Sequence, residues 1–360
     1  MYDALWNPVR IGALELPHRL GMAPMTRDRS AYDGTPTDLN VEYYGQRASM
    51  GLLITEGTQP SADGQGYLLT PGIHAEDHIA GWRRVADAVH AGGGKLVIQL
   101  MHTGRISHPG NTPHGRQPVA PSAVAASGTM FTLEGMLDFP APRELSLDEV
   151  KGTVDDYRQA AAAAIQAGAD GVEIHGANGY LVHQFLSSNA NQRTDAYGGS
   201  IENRIRFAVE VATAVAGEIG PDRTGIRLSP GNPFNDIAEA DTRELYLALA
   251  QALAPLGLAY LHVVAMAGDP LLKELRAAWP TALLVNVPGA PLEERVALVA
   301  DDAADLITVG QLALANPDLV ERLRTGATLN EPDPATYYGG DHRGYTDYPA
   351  LGERPGTARP

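Results

Sequence analysis

The chain has 360 residues, with 27 Lys and Arg against 43 Asp and Glu, for a formal net charge of −16. That balance, with no basic patch, favours solubility and argues against nucleic acid or an anionic membrane as partner. The absence of cysteine excludes disulfides, thiolate nucleophiles and cysteine metal sites, so chemistry must come from other side chains or a bound cofactor.

The amino terminus carries Asp3 and lacks the apolar core of a signal peptide, and no later run approaches a membrane span. The expected location is cytoplasmic. Histidines occur without HExxH-type spacing, so no metal site is expected.

Apolar β-like segments alternate with segments of helical period along nearly the whole chain, the pattern of repeated βα units. The first strand is predicted over 20–25 and its helix over 38–49, with Asp38 in capping position. The second pair covers 52–56 and 77–91, where Gly92, Gly93 and Gly94 stop the helix. A third strand over 95–101 leads into a long loop, about 103–145, rich in Gly, Pro, Ser and His. A loop of that length after a strand end reads as a lid or small subdomain over a pocket.

A helix over 147–167, capped by Ser146, returns to a fourth strand at GVEIH, 171–175. Further strands follow over 225–228, 260–264, 282–287 and 306–309. The remaining helices fall at 201–219, 241–256, 271–279, 292–300 and 316–323. The tail, about 327–360, is dense in Pro, Gly and Tyr and is expected to wrap the barrel or a partner subunit.

Eight such pairs predict a single (β/α)8 barrel domain over 1–360. A doubly wound open sheet is the alternative, ranked second because no GxGxxG opens a helix after any strand.

The fourth strand delivers three polar residues, His175, Asn178 and Tyr180, at its carboxyl end, where α/β barrels keep their ligands. His175 and Asn178 can both donate to one acceptor oxygen, and the Tyr180 phenol stays a proton donor at neutral pH. By spacing alone a His after a strand is more often structural, and a Tyr in an apolar run more often core.

The continuous stretch HGANGYLVHQFLSSNANQRTDAYGGSIENR resembles, almost position for position, the signature of the Old Yellow Enzyme family of flavin-dependent ene-reductases. Similar motifs run from end to end: MAPMTR, ITEGT, TPGI, QLMHTGR, RLSP, ANPDLVERL and GYTDYP. The resemblance implies a barrel that holds flavin mononucleotide (FMN) at the carboxyl ends of its strands. NAD(P)H would be the reductant, an α,β-unsaturated carbonyl compound the substrate, and a homo-oligomer a possible assembly.

Carried over by position, Ala23, Pro24, Met25 and Thr26 would line the flavin ring, and Gly57 would let the ring approach the backbone. Gln99 and Arg227 would bond its pyrimidine side, where a guanidinium suits developing negative charge. His175 and Asn178 would hold the substrate carbonyl and Tyr180 would protonate its α-carbon, with Met101, His102 and Tyr345 in the substrate pocket.

Three positions depart from the family pattern. Met101 stands where many relatives have tryptophan, which implies a reshaped pocket. At the flavin phosphate, Gly289 and Gly310 persist, but Pro288 removes a backbone N–H donor and Gln311 replaces an arginine. Loss of a charge-assisted fork lowers affinity by about 1.5–3 kcal/mol, roughly one to two decades. Two alternatives stay open at this point: a barrel that has lost FMN and runs non-redox isomerisation or cyclisation, and a non-catalytic binding or scaffold barrel.

Overall fold

A computed structural model describes residues 2–266 and 268–353. The last part of the predicted tail, 354–360, lies outside the described residues. Eight parallel strands close a barrel in chain order. They are β1 (Leu20–Met22), β2 (Leu52–Ile54), β3 (Lys95–Leu100), β4 (Gly171–Gly176), β5 (Thr224–Leu228), β6 (Tyr260–Val264), β7 (Ala282–Asn286) and β8 (Leu306–Val309).

Closure comes from β8 pairing with β1, with Ile307 opposite Leu20 and Val309 opposite Met22. That pairing rules out the open sheet. The strands are apolar and β-branched because a parallel barrel buries both of their faces, and β4, β5 and β8 are buried throughout.

Each strand is followed by a helix on the outside: α1 (Asp38–Gln46), α2 (Glu76–Ala91), α3 (Leu147–Gln166), α4 (Ile201–Ile219), α5 (Thr242–Leu253), α6 (Pro270–Ala278), α7 (Leu292–Ala300) and α8 (Leu319–Thr325). Ser146 caps α3 as expected, its hydroxyl accepting from the Glu149 N–H (3.3 Å) while Glu149 accepts from the Ser146 N–H (2.8 Å). At α1 the cap is Thr37, not Asp38, because Asn40 accepts from the Thr37 N–H (2.8 Å) and completes a capping box.

The helix expected over 316–323 is shifted to α8, and a separate short helix, Gln311–Ala315, precedes it. Pro317 cannot donate a backbone hydrogen bond, which separates the two.

A feature with no sequence expectation closes the amino end. Val9–Ile11 and Leu14–Leu16 form an antiparallel hairpin. Its Ile11, Leu14 and Leu16 bury against Leu52, Ile54, Val97, Tyr260, Leu284 and Leu306 from the barrel interior. The turn needs Gly12, at φ +57°, because a Cβ there would clash with the Asp222 carbonyl. Apolar side chains therefore plug the amino end of the barrel.

The long loop after β3 holds a second hairpin, Thr129–Thr132 with Gly135–Asp138, above a short parallel pair, Val119–Ala120 with Arg143–Glu144. The described tail lies along the barrel. Tyr345 stacks on Tyr43 of α1 (ring centroids 4.1 Å apart), and Arg322 of α8 donates to the Pro349 carbonyl (2.8 Å).

Candidate active site

A cavity of about 950 Å³ opens at the carboxyl ends of the strands. Strand register decides what meets there. Gln99 lies opposite Glu173, and, two residues further along, His175 lies opposite Arg227 and Arg227 opposite His262, so polar side chains from β3 to β6 fall in two neighbouring rows.

At and behind the cavity wall these residues form a buried network. Gln99 Nε2 donates to Glu173 Oε1 (2.7 Å), and Glu173 Oε2 pairs with His262 Nδ1 (2.8 Å), whose Nε2 meets Thr308 Oγ1 (2.9 Å). Burial alone would raise the Glu173 carboxyl, but His262, Arg227 and Gln99 outweigh it and hold it below the ordinary value.

Arg227 gives one Nη2 bond to Asn286 Oδ1 (3.1 Å), while its buried Nε has no partner among the described residues. An unsatisfied buried guanidinium N–H beside a cavity asks for an acceptor from a ligand. Gln99 has its amide nitrogen committed to Glu173, and no described residue donates to its side-chain oxygen, which can accept from a ligand.

His175 is buried, and its Nδ1 accepts from the Ala177 N–H (3.2 Å). Burial first, and then the positive field of Arg227, push its pKa well below the ordinary imidazole value. The ring is therefore neutral, with its proton on Nε2, and presents an N–H donor.

Asn178 adopts a left-handed conformation, φ +55°, held by three bonds. Its N–H donates to Ser229 Oγ (2.8 Å), its carbonyl accepts from Asn235 Nδ2 (2.8 Å) and its Oδ1 accepts from Asn232 Nδ2 (3.1 Å). The amide Nδ2–H₂ remains to donate.

Tyr180 packs edge-on to His175 (ring centroids 5.0 Å), and its hydroxyl bonds to that of Tyr67 (2.9 Å). Burial pushes the phenol up to about 12, so it is protonated at neutral pH. A second buried set fixes this segment from behind. His183 Nδ1 accepts from the Gly179 N–H (3.0 Å), and its Nε2 meets Glu239 Oε1 (2.9 Å), which also accepts from Tyr246 (2.8 Å).

Of the residues expected at the site, His175, Asn178, Tyr180, Gln99 and Arg227 are all on the cavity wall, joined by Pro24, Met25, Thr26, Gly57, Met101 and Gln311. Five others are not. Ala23 is buried and its N–H donates to the Val309 carbonyl (3.0 Å), extending the barrel ladder.

His102 is buried away from the wall with Nδ1 accepting from the Gly104 N–H (3.1 Å), and burial lowers its pKa to about 4. Tyr345 is wholly buried in the stack on Tyr43, where its oxygen accepts from Asn40 (3.2 Å). Gly289 sits in an exposed turn, and Gly310 packs against Met25.

Gly57 also has a local role beside the expected one. A Cβ there would clash with the Met101 thioether, so the glycine makes room for Met101. Sequence reasoning missed Tyr67, Asp28, Asn235 and the tail residues Tyr337 and Tyr338, all on the wall. Only Asp28, two residues beyond Thr26 in a recognised motif, carried a signal that could have found it.

The sequence profile of the NADH:flavin oxidoreductase / NADH oxidase family matches residues 4–330. The chain belongs to that family. The "Probable flavin mononucleotide-dependent alkene reductase" of Leishmania infantum is 43% identical over 360 residues, 97% of this chain and 98% of that protein. The 12-oxophytodienoate reductase 2 of Arabidopsis thaliana is 40% identical over 363 residues, 96% of each chain. The solved structure of morphinone reductase superposes with a TM-score of 0.92 at 44% identity, covering 98% of both chains. The resemblance to Old Yellow Enzymes and the barrel it implied are both borne out.

As a member of this flavin oxidoreductase family, the protein is an FMN-dependent oxidoreductase with NAD(P)H as reductant. Its residues fit the ring of that cofactor. The free Arg227 Nε–H and the free Gln99 oxygen form a donor and acceptor pair suited to the alternating acceptors and donors of a pyrimidine edge.

The phosphate end is less richly provided. Pro288 and Gly289 are exposed after β7, and Gln311 is exposed at the start of the short helix after β8. Arg295, the basic residue nearest the β7 turn in sequence, donates its Nε to the Ala290 carbonyl (2.9 Å).

Proposed function

We propose that the cavity reduces the C=C bond of an α,β-unsaturated carbonyl compound, or runs the reverse desaturation. FMN, when bound, supplies the two-electron redox chemistry, recharged by NAD(P)H. In this reading His175 Nε2–H and Asn178 Nδ2–H both donate to the substrate carbonyl oxygen. Negative charge gathers on that oxygen as the β-carbon is reduced, and two positioned donors stabilise it more than they stabilise the neutral carbonyl. Tyr180 O–H then protonates the α-carbon, and the Tyr67 hydroxyl bonded to it orients the phenol and shares the charge left behind.

The observation that carries the reading is the convergence of two uncommitted N–H donors and a protonated phenol on one cavity that also offers the flavin-ring partners. The proposal treats residues 1–360 as one domain, since loop and tail both supply cavity wall. It also places the reaction in the cytoplasm. Among the described residues no helix is long and apolar enough to cross a membrane.

The test is spectroscopic. Protein loaded with FMN and desalted should bleach anaerobically with NADH or NADPH and regain its colour on adding 2-cyclohexenone. Colour that returns with oxygen but not with any enone would sink the substrate assignment.

A further inference from the structure

The cavity wall holds a carboxyl that the reaction above does not use. Asp28 follows the flavin-lining Thr26 by two residues and adopts a left-handed φ of +55°. Its N–H donates to Glu56 Oε2 (3.3 Å), the oxygen that also takes the Arg27 N–H (3.0 Å). This tight turn puts the Asp28 side chain on the wall of the cavity that holds Tyr180 and Asn178.

No described residue donates to either carboxyl oxygen, and Oδ1 is buried without a partner. The neighbouring guanidiniums bond elsewhere, and their one buried nitrogen left without a partner among the described residues, Arg27 Nε, makes no hydrogen bond to Asp28. Arg27 donates to the Gly344 carbonyl (3.1 Å), and Arg29 to the carbonyls of Asp341 (2.8 Å), Arg27 (2.8 Å) and Thr336 (2.9 Å). A buried carboxyl without a protein partner is unfavourable unless a ligand completes it.

The chemistry of that ligand follows from the surroundings. Burial, then the charge of Glu56, raise the Asp28 carboxyl well above the ordinary carboxylate range, against the pull of Arg27 and Arg29. Two nearby guanidiniums disfavour an ammonium group, and a carboxyl poised toward its neutral form suits a partner that can both donate and accept. A hydroxyl does both. The carboxyl is also close enough to Tyr67 and Tyr180 for its charge to be felt at both phenols, which puts it on the substrate side of the cavity.

We propose that Asp28 is a specificity-determining residue that binds a hydroxyl group of the substrate, remote from the carbonyl held by His175 and Asn178. The inference rests on the clamp reading of those two residues. It predicts a preference for hydroxylated enones over alkyl isosteres.

The experiment compares 2-cyclohexenones bearing hydroxymethyl at ring position 4, 5 or 6, each against the ethyl isostere, using the FMN-loaded protein. The wild type should favour at least one hydroxylated isomer by about tenfold in kcat/KM, the discrimination of one well-made hydrogen bond. Asp28→Asn, which keeps an acceptor and a donor, should retain most of that ratio. Asp28→Gly, which accepts a positive φ without strain, should bring it to about one.

A wild-type ratio near one for all three isomers, or a ratio that survives in Asp28→Gly, overturns the assignment. If the wild type reduces none of the enones, the clamp reading has failed instead. Equilibrium binding of the same pairs to wild type and Asp28→Gly then decides the Asp28 assignment by the same ratios.

Discussion

The two ends of the cofactor site are built by different means. At the proposed ring end, Gln99, Glu173, Arg227 and His262 project from neighbouring strands and are buried; Glu173 fixes Gln99 and His262 at 2.7–2.8 Å, and Asn286 holds Arg227 at 3.1 Å. At the phosphate end the candidates are exposed, Pro288 and Gly289 on a turn and Gln311 at the start of a short helix, and none of the three brings a guanidinium. A side chain within a buried network is constrained by several partners at once, whereas a turn residue answers only to its ligand. If the proposed site assignments hold, orientation of the reacting groups and retention of the cofactor should be separable in this protein.

The largest effect should come from the clamp and acid over the ring. Tyr180→Phe is expected to lower enone turnover about 10²–10⁴-fold, the usual contribution of a general acid, while FMN stays bound after desalting. Asn178→Ala should lower kcat/KM for enones about 10²–10³-fold, as loss of one oxyanion donor does elsewhere. A loss of FMN in either variant, read from its visible absorbance, would break the separation between the two ends.

The complementary change, Gln311→Arg, should tighten FMN binding by roughly one to two decades, with kcat for an enone at saturating FMN unchanged. Fluorescence titration of FMN measures the first and steady-state kinetics the second. A change in kcat larger than the change in affinity would show that the phosphate end also positions the reacting groups.

The smallest effect concerns the backing of the ring end. Glu56 is wholly buried and accepts the N–H groups of Arg27 and Asp28, and burial raises its pKa from 4.5 to about 7. The folded state thus keeps a proton between about pH 4.5 and 7 that the unfolded chain releases. Its contribution to stability is full below about pH 4.5 and is lost as pH rises through about 7.

His102, lowered to about 4, acts in the opposite sense, since its contribution is lost as pH falls from 6.5 towards 4. Glu56→Gln isolates the first term. The difference in melting temperature between variant and wild type should change by a few degrees across pH 5 to 8, the variant gaining relative to wild type as pH rises. A pH-independent difference would show that Glu56 does not titrate in that range.

Much of the fold was legible because each strand and helix is specified locally. Short runs with β-branched residues after a glycine turn, such as GVEIH, favour buried strands, and the Ser146 and Glu149 capping box sets the start of α3 locally. His175, Asn178 and Tyr180 were legible because they sit within six residues on one strand end and its following turn. His102 and Tyr345 were misplaced because a motif position says which segment approaches the cavity but not which of its side chains points inward.

The sequence by itself determined the eight βα units, the family and the segments that carry the chemistry, since local periodicity and contiguous motifs encode all three. Only the tertiary structure decided which side chains share the cavity. It brought Tyr67 onto Tyr180 from 113 residues away, committed Arg27 and Arg29 to tail carbonyls more than 300 residues on, and left the Asp28 carboxyl without a partner. Barrel closure sets those proximities, and closure depends on every strand at once.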